Sequence, residues 1–269
     1  MTTKADVAII GCGEAGIFAG YELKLRHPEL NIIVLEQGAD IYSRKCPIVA
    51  GKVKTCIHCK TCDTMCGFGG AGAFSDGKFN FTTQFGGWLT EYMEPAEVME
   101  LIEYVDSINV AHGATTERYS TSTPEARALE IEALKYDLHL LQAQCKHLGT
   151  ERNLQILTNI YEDLKDKIEY RFHTSVTQIQ QDGDGYRLTT ESDGDFTCRY
   201  LIAAPGRSGA EWFATQCKDL GIKLINNQVD IGVRVELPAQ VFEHITNVVY
   251  ESKLIYRTKQ YGDQVRTFC

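Results

Sequence analysis

The chain has 269 residues, 43% apolar and 23% charged, with 36 Asp and Glu against 27 Lys and Arg for a net charge of −9. This composition excludes disordered, collagenous and fibrous classes, and an acidic balance with no run of Lys or Arg argues against nucleic acid, whose phosphates need clustered cations. No stretch reaches the roughly 20 apolar residues of a membrane span and no signal-peptide pattern opens the chain, so a cytoplasmic protein acting on small molecules is expected.

Residues 5–10 (ADVAII) are an apolar, β-branched run that predicts a strand. The turn Gly11-Cys12-Gly13-Glu14-Ala15-Gly16 follows, then an apolar-periodic helix through Leu25 that ends before Pro28. A second strand over residues 31–35 delivers Glu36, which lies 36 − 16 = 20 residues after the last glycine. Strand, glycine turn, helix and distal acid together are the dinucleotide fingerprint. Gly11 permits the turn, Gly13 opens space for a pyrophosphate, and Gly16 lets helix and strand approach. The free N–H groups of the helix start favour phosphate. Glu36, followed by Gln37, is expected to accept from an adenosine ribose and to disfavour a 2′-phosphate, which points to FAD or NAD over NADP.

Ten Cys at short spacings suggest metal or redox chemistry more than a disulfide scaffold. Cys46 precedes Pro47, and Cys56, Cys59, Cys62 and Cys66 give C-x2-C-x2-C-x3-C, the spacing of a bacterial [4Fe–4S] site with Cys46 or Cys66 as fourth ligand. A redox-active dithiol and a structural zinc site are the competing readings. The run GFGGAGAFSDGK over residues 67–78 is too glycine-rich for a helix or strand interior. Gly70, Ala71, Gly72 and Gly77 are expected to approach a cofactor with backbone, and Ser75, Asp76 and Lys78 to add polar contacts.

Helical periodicity with early Pro marks residues 95–111 and 124–135, and residues 151–167 also read as helix. Alternation predicts strands over 138–143, 229–236, 247–257 and 264–268. His147 stands at a candidate hinge and is a weak catalytic candidate. Residues 169–180 and 186–190 read as strands around an Asp182-Gly183-Asp184-Gly185 turn. Another strand, 196–203, ends in Ala204-Pro205-Gly206.

This arrangement resembles flavoproteins of the glutathione-reductase and hydroxylase type. The resemblance implies FAD held between two separated chain segments, with Ala204, Pro205 and Gly206 closing on the cofactor, the Val176 backbone meeting the adenine and Arg44 lying near it. GCGEAG, LEQG, CPIVAGK, the cysteine run with GFGGAGAFSDGKF, HLGTE and DIGVRVE resemble the poorly characterised FAD-dependent dehydrogenases, also described as NAD-utilising. That likeness implies FAD binding, oxidoreductase chemistry and NAD(H) as an electron partner. Family members are longer, so a C-terminally incomplete chain is expected, ending at Cys269 inside a strand.

The expected fold is α/β. A Rossmann-like FAD-binding domain would comprise residues 1–85 and 145–226, and an inserted, mostly antiparallel α+β substrate or cap domain residues 86–144 and 227–269. The expected function is an FAD-dependent oxidoreductase passing electrons between flavin and either the iron–sulfur cluster or a substrate held under the second domain. A flavin-linked dithiol/disulfide reductase and a non-catalytic electron carrier stay open as alternatives.

Overall fold

In the computed structural model, which describes residues 2–227 and 229–267, the chain opens with β1 (Thr2–Ile10), α1 (Glu14–Arg26) and β2 (Ile32–Leu35). Next come β3 (Lys78–Phe81), α2 (Pro95–Ala111), β4 (Tyr119–Ser120), α3 (Pro124–Leu134), β5 (His139–Leu140) and β6 (Gln144–His147). They are followed by α4 (Thr150–Leu164), β7 (Glu169–Arg171), β8 (Val176–Asp182), β9 (Gly185–Thr190), β10 (Asp195–Ala203) and α5 (Ala210–Asp219). The last elements are α6 (Ala239–Thr246), β11 (Leu254–Arg257) and β12 (Gln264–Arg266). These divide into two compact units, residues 1–75 with 150–228 and residues 76–149 with 229–269. The limits of 85 and 145 drawn from sequence differ because β3 pairs with β6, so both strands lie in the second unit.

The first unit is built on a mixed sheet in the order β7-β2-β1-β10-β9-β8. Its first four strands run parallel, and β10, β9 and β8 form an antiparallel meander. Both faces of β1 and β2 are covered. Ala8, Ile9, Ile32, Ile33, Val34 and Leu35 are all buried, which is why these strands read as continuous apolar runs and not as alternating ones. Burying each large aliphatic side chain contributes about 1.5–3 kcal/mol. Helix α1 lies close to the sheet because Gly16 and Gly20 face it: a Cβ on Gly16 would stand 2.0 Å from the Gly11 carbonyl oxygen. Helix α4 supplies the buried ridge Ile156, Leu157, Ile160 and Leu164.

The second unit contains two three-stranded antiparallel sheets, β12-β11-β5 and β3-β6-β4, with α2, α3 and α6. Local chemistry sets the helix starts. Glu94 and Glu97 form a reciprocal capping box ahead of Pro95, and the Thr123 hydroxyl accepts from Ala126 N at 3.1 Å ahead of Pro124. Lys146, 1% exposed along its side chain, meets both carboxylate oxygens of Asp106 at 2.7 and 2.6 Å, and Arg118 adds a third bond to that carboxylate at 3.0 Å.

Four expected strands change. The run expected over 169–180 divides into β7 and β8, which lie at opposite edges of the sheet, because the left-handed His173 (φ 55°) interrupts the extended backbone between them. Residues 229–236 form no strand among the described residues, and Val229, Ile231, Val233 and Val235 are exposed; their alternation lacks a partner strand to hydrogen-bond. Of residues 138–143 only β5 pairs, while Gln144 begins β6. Residue 247 caps α6, so the strand expected over 247–257 starts at Leu254. β12 ends at Arg266, and residues 268 and 269, where the chain was expected to stop inside a strand, lie outside the described residues. Among the described residues, no helix is long and apolar enough to cross a membrane.

Candidate functional site

The turn after β1 carries the site. Gly11 has φ +94°, a left-handed backbone that favours glycine, and a Cβ there would stand 2.2 Å from the Ala204 carbonyl oxygen. The β1 and β10 strands run on into their two turns together, with Ala204 N donating to Ile10 O at 2.8 Å. Gly11 and the Ala204-Pro205-Gly206 turn are therefore packed against one another, although 193 residues separate Gly11 from Ala204 (204 − 11 = 193). Gly13 differs. A Cβ there would meet only Gly70 Cα, at 3.9 Å. Its small size serves open space and not packing, as a phosphate-approaching glycine requires.

A cavity of about 700 Å³ runs along these turns, lined by Ile10–Gly13, Leu35–Gln37, Gly70, Ala71, Thr174–Thr177 and Ala204–Gly209. Trp212, Lys60, Thr61, Met65 and Glu191 complete its wall. A second, more open cavity of about 490 Å³ shares Gly13 and Ala204–Gly206, and adds Glu14, Ala15, Phe213 and Cys217. The volume and the mixed lining suit a nucleotide-sized ligand. Gly11, Gly13, Glu36, Gln37, Gly70, Ala71, Val176, Ala204, Pro205 and Gly206 thus line one cavity from five stretches of chain.

Glu36 does more than its place in the fingerprint implies. It is buried, and its carboxylate accepts from Cys12 N at 2.7 Å through Oε2 and from Gly38 N at 2.8 Å and Gly67 N at 2.9 Å through Oε1. Three of about four lone-pair positions are thereby used, leaving one on Oε2 for a ligand. The same residue ties the glycine loop to the βαβ turn, helped by Gly69 N donating to Cys12 O at 2.8 Å.

Arg44 does not line either cavity. Its buried guanidinium donates to the carbonyls of Asp63 at 2.9 Å, Phe68 at 2.6 Å and Thr64 at 3.2 Å, and lies over the Phe74 ring. Arg44 is the internal strut of the 45–68 loop. Glu14, in the first turn of α1, touches the glycine loop: a Cβ on Gly72 would be 3.0 Å from Glu14 Oε1. Desolvation pushes the Glu14 carboxyl up to about 7 although part of the side chain remains accessible. Ser75 is the last residue of the first unit before the break. Asp76, Gly77 and Lys78 belong to the second, where Asp76 meets His147 Nε2 at 3.2 Å and Lys78 meets Glu251 at 3.4 Å. The His147 ring tilts against Tyr250 with centroids 4.8 Å apart.

The cysteines do not assemble as expected. Among the described residues, no three His, Cys, Asp or Glu side chains converge as metal ligands. Cys56, Cys59 and Cys62 are exposed, whereas Cys66 is buried, with its sulfur accepting from Gln37 Nε2 at 3.2 Å. Cys46 is held apart by the amides of Val49 and Ile48 and the Thr64 hydroxyl, which lower its thiol below the ordinary value. His58 takes a left-handed φ of 51° and its N–H donates to Cys56 Sγ at 3.5 Å. As placed in this structure, the thiols of the cysteine run are not gathered around one centre among the described residues, and nothing here supports the expected [4Fe–4S] cluster or a zinc ion. The wall residues Trp212 and Glu191 carry no motif in the sequence, and Lys60 and Thr61 stand there only as the intervening positions of Cys59-x2-Cys62.

No family profile matches the chain. It is 24% identical over 276 residues to an uncharacterized protein of Clostridium beijerinckii, across 99% of this chain and 44% of that one, so it spans less than half the length of the curated relative. Among solved structures it is similar to glycine oxidase from Geobacillus kaustophilus, with 17% identity, 83% of this chain and 60% of that one covered, and a TM-score of 0.48. L-amino acid deaminase from Proteus myxofaciens gives 14% identity, 83% and 49% coverage and a TM-score of 0.46.

Proposed function

We propose that the first unit binds FAD and that the chain is part of an FAD-dependent oxidoreductase. The observation that carries this reading is the Gly13 cradle. The one glycine of the turn whose Cβ would enter open space faces the cavity, at the start of a helix whose N-cap has no side-chain bond. The free amides of that first turn would hold the pyrophosphate. The remaining lone pair of Glu36 Oε2 would accept from the ribose, and the backbone around Val176 would border the adenine. Gly70 and Ala71 would lie along the dinucleotide, with Ala204–Gly206 closing on it from the opposite segment. NAD(H) satisfies the same βαβ turn, but the two-segment enclosure by Ala204–Gly206 favours FAD.

When bound, FAD supplies the electron transfer. This chain's residues orient the dinucleotide, exclude water along the apolar side made by Ile10, Leu35, Val176 and Trp212, and in Glu14 hold a proton beside the phosphate cradle. A small molecule is the reductant or oxidant that this reading requires. The test is to purify the protein, denature it and identify the nucleotide released by chromatography. FAD at near one equivalent supports the reading, and NAD alone, or flavin equally retained by Gly13→Val, refutes it.

A further inference from the structure

The residues between Cys59 and Cys62 are Lys60 and Thr61, and both line the 700 Å³ cavity. The chain bends at these two positions. Both flanking thiols are exposed and unbridged, and the bend is held on one side by Lys60 Nζ on Glu191 Oε2 at 2.8 Å, itself a wall residue. On the other side the Cys62 carbonyl accepts from Met65 N at 2.9 Å and Cys66 N at 2.8 Å, anchoring a helical turn that also carries Met65 into the wall. The Cys56 sulfur accepts from His58 N at 3.5 Å. A cysteine pair at this spacing is suited to disulfide exchange, and here its intervening residues are the ligand-facing ones.

We propose that Cys59 and Cys62 form a redox site whose disulfide reshapes the cavity wall and loosens the bound dinucleotide; the flavin half of this inference rests on the reading above. The partner is a low-molecular-weight disulfide. One cysteine thiolate attacks it, forming a mixed disulfide and releasing one thiol. The second cysteine gives its proton to solvent and displaces the remaining small thiol. Two protein thiols are oxidised to one Cys59–Cys62 bond, and one small disulfide is reduced to two thiols. Closing that ring brings the two sulfurs to about 2.05 Å and the Cβ atoms to about 3.8 Å. In this switch the three peptide units between the two Cα atoms take up the closure, and Lys60 leaves Glu191 and Thr61 leaves the wall.

The experiment uses a Trp88→Phe background, so that Trp212, on the same cavity wall, is the remaining fluorophore. The protein is treated with oxidised or reduced glutathione, and three things are read: the disulfide by peptide mapping, acrylamide quenching of Trp212, and the rate of FAD release. Oxidation is expected to give the Cys59–Cys62 bond, at least a threefold change in quenching and at least threefold faster release. Cys59→Ser should abolish all three responses and Cys56→Ser should keep them. Glutathione adducts with no internal bond, a Cys56–Cys59 bond, or a Cys59–Cys62 bond with quenching and release unchanged would overturn the proposal. If reduced protein binds no FAD, the nucleotide reading fails, while mapping and Trp212 quenching still decide the switch.

Discussion

Replacing Glu36 with Gln separates two roles that the fingerprint merges. The carboxamide keeps the side-chain volume but exchanges one acceptor oxygen for an NH2 donor. If its oxygen stays with Gly38 N and Gly67 N, the NH2 faces Cys12 N, which is 2.7 Å from the present oxygen. A donor then meets a donor in a buried site; the opposite rotamer abandons two amides instead of one. Losing a charge-assisted bond and stranding a buried N–H costs about 1.5–3 kcal/mol. At about 2–4 °C per kcal/mol for a chain of this size, melting should fall by roughly 3–12 °C. The assay is thermal unfolding at neutral pH in nucleotide-free protein. An unchanged melting temperature would mean that Glu36 acts on the ligand alone, and the three-amide hub would be refuted.

Gly16→Ala places a Cβ 2.0 Å from Gly11 O and 3.1 Å from Gly11 C, so backbone must move and a loss of more than about 3 kcal/mol is expected by urea unfolding. Gly13→Ala meets nothing closer than 3.9 Å and should cost no more than about 1 kcal/mol while weakening dinucleotide retention. Asp106→Asn leaves the Lys146 ammonium buried without its charged partner, and a drop of about 3–5 kcal/mol is expected. Glu14, raised to about 7, is neutral below that pH and becomes a carboxylate as pH rises through it. FAD should therefore bind more weakly at pH 8 than at pH 6, by roughly threefold for a partly screened like charge. Glu14→Gln should flatten that dependence; the same slope in the variant would assign it to another group.

The parts legible in sequence were those whose signal is local. Residues 5–36 carry a strand, a glycine turn and a helix whose residue types state their geometry, and α2 and α3 announce themselves by Pro at the first turn. The pairing of Ala204 with Gly11 is equally local at each end, since a strand and a turn residue stand at both. The strand expected over 229–236 rested on alternation alone, and alternation specifies a face without supplying a partner. Helix α5 begins at Ala210 after an N-cap, Gly209, that has no side-chain bond to offer, so no start signal marks it. Arg44 and the cysteines show the harder limit. A cation that braces three carbonyls and one that binds a ligand are the same letter, and C-x2-C spacing does not reveal that Cys56, Cys59 and Cys62 stand exposed while Cys66 is buried.

The most direct measurement is an equilibrium titration of the reduced protein with FAD, followed by flavin fluorescence, on the wild type and on Gly13→Val with thermal unfolding run in parallel. The account predicts saturation at one site for the wild type. For Gly13→Val it predicts binding at least tenfold weaker, with a melting temperature within about 3 °C, because the added side chain occupies ligand space and little else. Equal affinity in the two folded proteins, or no saturable binding by folded wild type, would contradict it.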